Sequence, residues 1–209
     1  MKAIRLIALA ACMAATLDAS AQEQEIRLFS HRGGRMEHDE NTLSAFQASY
    51  DAGYRGFETD IRMTRDGALV ITHDSSLERT TDGTGTVEEK TEAEIRRLHT
   101  KQGNKVLFLD ELLEFLEGKE GLYVEFEMKT KPEALYPEER LHAYCDKLYD
   151  AVMAVKPADA TFVFTSGDYR GLRYLQAKHP GVDLLLITSK PCNDETIDLC
   201  KAMGIKRMG

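Results

Sequence analysis

After about residue 21 the chain has no long apolar run. Nothing there approaches the ~20 consecutive apolar residues that a bilayer-spanning helix needs, so no transmembrane segment is expected in that part of the sequence. Cysteine is scarce: Cys12, Cys145, Cys192 and Cys200 are the only four, and their spacing offers no metal-thiolate site. Positive charge is in deficit. With 27 Lys and Arg against 35 Asp and Glu the net charge is −8, which disfavours nucleic acid as a partner. An anionic substrate would need a local basic feature. The composition that remains is that of an acidic, soluble globular domain.

The one concentrated apolar stretch lies at the start. Lys2 and Arg5 precede an apolar core from Leu6 to Leu17, and Ala19-Ser20-Ala21 follows as a small-residue cleavage site. This three-part layout predicts a secretory signal over residues 1–21, a mature chain beginning near Gln22, and a periplasmic or secreted location. Leu9-Ala10-Ala11-Cys12 also resembles a lipoprotein signal, with Cys12 as the lipidated residue. Removal of residues 1–21 would leave 25 basic against 34 acidic residues, a net charge of −9. Of the three remaining cysteines, Cys192 and Cys200 could pair in an oxidising compartment; buried, unbridged cysteines are the alternative.

The residues with chemistry to offer gather between Ser30 and Asp74, each where an apolar run ends. Ile26-Arg27-Leu28-Phe29 suits a short strand, with His31 and Arg32 just beyond it. Gly56 to Met63 alternates in period two, so Glu58 and Asp60 share one face of an extended segment. Asp66-Gly67 is a tight-turn signal followed by Ala68 to His73. A turn centred on those two residues pairs Arg65 with Ala68, Met63 with Val70 and Asp60 with His73, setting an imidazole beside two carboxylates. A slip of one residue would turn the histidine away. Two nearby carboxylates joined by a third suit a hard divalent cation such as calcium or magnesium. Paired histidines suit proton transfer near neutral pH, and Arg32 offers a fork for phosphate or carboxylate. Metal-assisted phosphoryl chemistry is the reading these parts support.

The order His31-Arg32-Gly33, Glu40-Asn41-Thr42, Ala45-Phe46, Gly53, Glu58-x-Asp60, Thr64-x-Asp66-Gly67, His73-Asp74, Leu77-x-Arg79-Thr80-Thr81, Gly83-x-Gly85 resembles the glycerophosphodiester phosphodiesterase family. The likeness is dense from about residue 28 to 98 and returns at Glu127-Met128-Lys129. It implies Glu58, Asp60 and Glu127 as ligands of a divalent cation, Ca2+ or Mg2+. It implies His31 and His73 as general base and acid in unassigned order, and Arg32 and Lys129 as phosphate-binding groups. Glu40 and Glu125 are further candidates. Glu40 could equally be an acid favoured near a helix N-terminus. Two positions depart from the family pattern: Asp39 stands where proline is usual, and Glu125 where asparagine is common.

Helical spacing is expected over Asn41–Tyr54, Thr91–Leu98 with a capping box between Thr91 and Glu94, Asp110–Leu116, Glu138–Val155, Tyr169–His179 and Glu195–Met203. The acids of Asp110–Leu116 read as a solvated face, and His142 as a surface residue. Leu122 to Lys129 puts Glu125, Glu127 and Lys129 on one face, a costly arrangement on a central strand unless paired or metal-bound. An exposed edge strand is the plainer alternative. Segments 26–30, 56–60, 122–128, 161–166, 183–187 and 205–209 make six strands alternating with helices, with 68–73 as a hairpin arm.

That alternation predicts an α/β fold with a parallel sheet. With the resemblance, it predicts a TIM-type barrel over residues 22–209 carrying about six of eight barrel strands, hence C-terminally incomplete, with its active face at the strand C-termini. The function implied is hydrolysis of small glycerophosphodiesters to an alcohol and glycerol 3-phosphate. The rivals are a lipid phosphodiesterase acting on sphingolipids or lysophospholipids, and an inactive domain that binds phosphodiester or cation without turnover.

Overall fold

A computed structural model describes residues 28–209. The predicted signal peptide, the Cys12 anchor and the start of the strand expected over 26–30 lie outside the described residues. Strands and helices alternate as the sequence pattern requires: β1 (Phe29–His31), α1 (Leu43–Asp51), β2 (Gly56–Met63), β3 (Leu69–Ile71), α2 (Glu92–Ile95), α3 (Leu109–Leu116), β4 (Tyr123–Met128), α4 (Glu138–Val155), β5 (Thr161–Ser166), α5 (Tyr169–Lys178), β6 (Leu184–Leu186), α6 (Asp194–Ala202) and β7 (Arg207–Met208).

Six strands form one parallel arc in the order β1-β2-β4-β5-β6-β7, with β3 attached to β2 as an antiparallel arm. The fold is the predicted TIM-type barrel with six of its eight strands present among the described residues; β1 and β7 form the two ends of the arc. Because β4 lies between β2 and β5, the edge-strand alternative for its three charges does not hold.

Period two separates the faces of this sheet. The outward face presents Phe57, Ile61, Val124, Phe126, Met128, Phe162 and Phe164, all buried beneath the helices. Leu141, Tyr144, Cys145, Leu148 and Val152 of α4 complete that core, and the Tyr144 hydroxyl donates to the Ile61 carbonyl at 2.9 Å. The inward face carries Glu58 and Asp60 of β2 in register with Glu125 and Glu127 of β4. β1 approaches β2 closely because residue 56 is glycine: a Cβ there would stand 2.5 Å from the Leu28 carbonyl oxygen.

The β2–β3 arm corrects one expectation. The pairs are Ile61 with Ile71, Arg62 with Val70 and Met63 with Leu69, one residue away from the predicted register. The Thr64 N–H donates to the Ala68 carbonyl at 2.8 Å, so the loop holds three residues, Arg65, Asp66 and Gly67. Gly67 takes φ +90°, the left-handed residue that a three-residue hairpin requires. The arm is covered by the excursion that follows it, where Val70, Leu77, Val87, Ile95, Val106 and Phe108 form a second small core.

Elsewhere the helices run as expected within a few residues. The Thr91–Glu94 capping box is present. Thr42 caps α1 by accepting from the Ala45 N–H. The Cys192–Cys200 pairing is not made: Cys145 and Cys200 are buried free thiols and Cys192 is exposed. His142 stacks on Tyr174 in the helical layer, at 3.9 Å between centroids. No helix among the described residues is long and apolar enough to cross a membrane.

Candidate functional site

The inward faces of β2 and β4 converge three carboxylates. Glu58, Asp60 and Glu127 each offer an oxygen within 4.8 Å of the others, and Asp60 is wholly buried. Three like charges in a dry site repel unless something positive neutralises them. Part of that charge comes from the chain. Lys129 Nζ donates to Glu127 Oε1 at 2.6 Å and lies 3.1 Å from Asp60 Oδ1. The Asn41 amide donates to Asp60 Oδ2 at 2.9 Å, with Arg32 Nε 3.4 Å from the same oxygen. The Arg32 backbone N–H donates to Glu58 Oε2 at 3.1 Å.

These partners do not satisfy the cluster. Glu58 Oε1 is buried with no hydrogen-bond partner, and Asp60 Oδ1 has only its ion pair with Lys129. An orphaned carboxylate oxygen in an all-oxygen donor set is what a hard divalent cation requires, so Glu58, Asp60 and Glu127 fit that group.

Titration behaviour expresses the same strain. Burial, with the charges of Asp60 and Glu127, pushes the Glu58 carboxyl well above the ordinary range. Burial also raises Glu127, against the pull of Lys129. At Asp60 burial is outweighed by Lys129, the Asn41 amide, His73 and Arg32, and the net displacement is downward. Of the three carboxyls, Glu58 is thus the one on which burial and like charge most favour the protonated form.

Both predicted histidines border the cluster. His31 ends β1, its Nε2 3.4 Å from Glu58 Oε2 and its side chain about half exposed. Burial and the nearby Arg32 and Arg35 lower its pKa. His73 follows β3, and its charge bears on Asp60, Glu127 and His31. The register slip does not turn it away, because the last ladder bond is from the Thr72 N–H to the Asp60 carbonyl at 2.9 Å and the chain bends at His73. Arg62 then seizes the His73 carbonyl through Nε at 3.0 Å and Nη2 at 2.9 Å.

Arg62 is itself buried and paired with Glu88 at 2.8 Å. Its Nη1 also reaches the Lys129 carbonyl at 3.4 Å. One guanidinium beneath the site thus holds the backbone of both His73 and Lys129.

Of the two further candidates, neither joins the three-carboxylate cluster. Glu40 is gripped by arginines, taking Arg32 Nη1 at 3.2 Å and a two-pronged contact from Arg79 at 2.7 and 3.0 Å. Its carboxyl is lowered: burial opposes ionisation, but Arg79 and Arg32 prevail. Glu125 lies deeper on β4, raised by burial, with Arg207 of β7 acting against that rise.

Residues to which sequence reasoning gave no role complete the frame. Asn41 braces Asp60, Asp74 accepts at His73 Nδ1 at 2.6 Å, and Arg79 bonds Asp74 as well as Glu40. All three stand in the motifs that carried the family likeness, so the signal was present without its geometry. Arg32 and Asn41 take left-handed backbone at φ 54° and 57°. Such strain in non-glycine residues persists where surrounding bonds enforce it. Here the Asn41 N–H donates to the Arg32 carbonyl at 2.8 Å, closing the loop that aims both side chains inward.

Fold and site together define a β/α-barrel protein with an inward carboxylate cluster framed by histidine, arginine and lysine. The chain belongs to the glycerophosphoryl diester phosphodiesterase family, whose model matches residues 31–208. Among its relatives is a glycerophosphodiester phosphodiesterase of Caldanaerobacter subterraneus subsp. tengcongensis. It is 36% identical over 123 residues, taking in 54% of this chain and 50% of that protein. One from Bacillus altitudinis is 32% identical over 111 residues, 50% of this chain and 45% of that protein. The chain thus spans about half the length of these relatives. An Oleispira antarctica phosphodiesterase, solved in complex with the product sn-glycerol-3-phosphate, superposes with a TM-score of 0.77 at 23% identity. That match covers 88% of this chain and 74% of the other, and bears on the fold.

Proposed function

We propose that this protein hydrolyses small glycerophosphodiesters to an alcohol and glycerol 3-phosphate, using a divalent cation, Ca2+ or Mg2+, held by Glu58, Asp60 and Glu127. The observation that carries the reading is the meeting of three carboxylates, with a buried Glu58 oxygen left unpartnered, and two flanking histidines. Family membership, relatives named for this activity and a fold neighbour solved with glycerol 3-phosphate support it.

The bound cation would neutralise phosphate charge and polarise its oxygens. Arg32 and Lys129, the basic groups among the carboxylates, would steady the phosphate in an otherwise acidic protein. With a cation held by the three carboxylates, Lys129 would be less committed to Glu127 and Asp60, and its ammonium could turn to an anion. One histidine takes the proton of the attacking oxygen as the O–P bond forms. The other gives a proton to the departing alcohol oxygen as the second P–O bond breaks. The Asp74 carboxylate on Nδ1 leaves His73 Nε2 to face the reaction. The N-terminal layout supports export, with cleavage near Ala21 and a barrel domain over 22–209.

The test is release of glycerol 3-phosphate from glycerophosphoethanolamine with Ca2+, Mg2+ or chelator, beside a His73→Ala variant. Metal-dependent release lost in the variant is the expected result. Folded protein that releases nothing with either metal would leave the reading without support.

A further inference from the structure

Arg79 belongs to a motif that the proposed chemistry does not use, and it lies at the rim, with about half of its side chain exposed. Yet each of its three guanidinium nitrogens is engaged. Nε bonds Asp74 Oδ2, while Nη1 and Nη2 grip both oxygens of Glu40, 39 residues away, at 3.0 and 2.7 Å. Fork-to-fork contacts of this kind constrain direction as well as distance. They also bridge two loops, the one after β1 and the one after β3.

The partners of Arg79 lead in both directions. Asp74 gives its other oxygen to His73 Nδ1 at 2.6 Å. Glu40 passes the contact to Arg32 Nη1 at 3.2 Å, and Arg32 Nε lies 3.4 Å from Asp60. Acid and base alternate along the whole path from His73 to Asp60. An isolated surface ion pair is worth little, but this one spans two loops and ends on groups that must be aimed.

We propose that Arg79 is a positioning residue: by clamping Asp74 and Glu40 together it holds the His73 ring with its proton on Nδ1 and its Nε2 free, and keeps Arg32 directed into the site. Asp74 alone has two equivalent oxygens and a free torsion. With Oδ2 taken by Arg79, only Oδ1 is left for the imidazole, and rotation of the carboxylate would cost both bonds. The strong ionisation of Asp74, lowered to about 2 chiefly by Arg79, suits it as a permanent acceptor. The inference rests on His73 being a proton-transfer group, and its test separates the two claims.

Nitrogen-resolved NMR of the imidazoles, at a pH well above the imidazole range and with Mg2+ present, reads the His73 tautomer without any turnover. Wild type, Arg79→Gln and Arg79→Lys would be compared, with kcat and KM for glycerophosphoethanolamine measured on each. The wild type is expected to carry the His73 proton on Nδ1. Arg79→Gln should show mixed tautomers and a kcat lower by about 10–100-fold, the usual cost of losing a supporting partner, with a smaller rise in KM from the loosened Arg32. Arg79→Lys restores charge without the fork and should recover only part of the loss.

A wild-type proton on Nε2, or an unchanged tautomer in Arg79→Gln, would overturn the proposal. A rise in KM alone would also overturn it, making Arg79 a substrate contact. If the tautomer responds as expected in a protein that releases no glycerol 3-phosphate, the clamp stands and the catalytic reading fails. Because Arg79 is half exposed, its variants should fold; thermal unfolding in the same buffer checks this.

Discussion

Glu58 shows how one carboxyl can oppose folding and still be kept. Its raised pKa means that the cation-free folded protein holds this proton to higher pH than the unfolded chain does. The sign follows: Glu58 reduces cation-free stability as pH rises from the ordinary carboxylate range through its raised value. A cation must displace that proton, so Mg2+ or Ca2+ affinity should increase with pH. Calorimetry in buffers of different ionisation enthalpy should record proton release on binding. Glu58→Gln should leave cation-free thermal stability unchanged or higher while abolishing the gain on adding metal. In the wild type that gain would be about 2.7 kcal/mol at a hundredfold excess over Kd. Asp74 carries the opposite sign. Its stabilisation is present above the ordinary 3.8 and is lost as pH falls towards about 2. The stability difference between wild type and Asp74→Asn should therefore be constant near neutrality and shrink over that acid window in denaturant titrations.

At the scale of elements, α4 and the β2–β3 arm do different work. α4 is the long helix against the outward face of β2, and Leu148 is fully buried there. Leu148→Ala should cost about 2–5 kcal/mol in urea unfolding without altering the metal response, since the carboxylates lie on the other face of the sheet. The arm positions His73, and its three-residue loop depends on Gly67 at φ +90°. A side chain there meets nothing in space, so the penalty for Gly67→Ala is conformational, about 1–2 kcal/mol. Local unfolding of the arm should loosen His73 before it disturbs β2. Activity of that variant should consequently fall at temperatures where its far-ultraviolet signal is still native.

Across the whole molecule the excess of negative charge reaches into the site. In a chain of net charge −8, Arg32, Lys129 and Arg79 are each paired with carboxylates there. Sheet stability should also be graded. β2 and β4 have partners on both sides, whereas among the described residues β1 pairs with β2 alone and β7 with β6 alone. Amide exchange should be slowest in Phe57–Ile61 and Val124–Met128 and fastest in β1 and β7, because opening an end strand breaks one ladder instead of two. Equal protection across all six strands would mean that the two ends are covered in solution.

What the sequence by itself determined is everything that short-range periodicity controls. Six parallel strands, the helices between them, the shared face of Glu58 with Asp60 and that of Glu125 with Glu127 and Lys129 were all legible, because alternation in a strand is a property of neighbouring residues. The motif order pointed to the three carboxylates and both histidines. Tertiary structure alone decided the rest. Turn geometry set the arm one residue from the expected register, since Asp66-Gly67 is compatible with a two- or a three-residue loop. The fates of Glu40 and Asp74 depended on Arg79, and Arg62 reached Glu88 from 26 residues away. Such partners meet only when loops from different strands are brought to the same end of the sheet, and no local pattern encodes that distance.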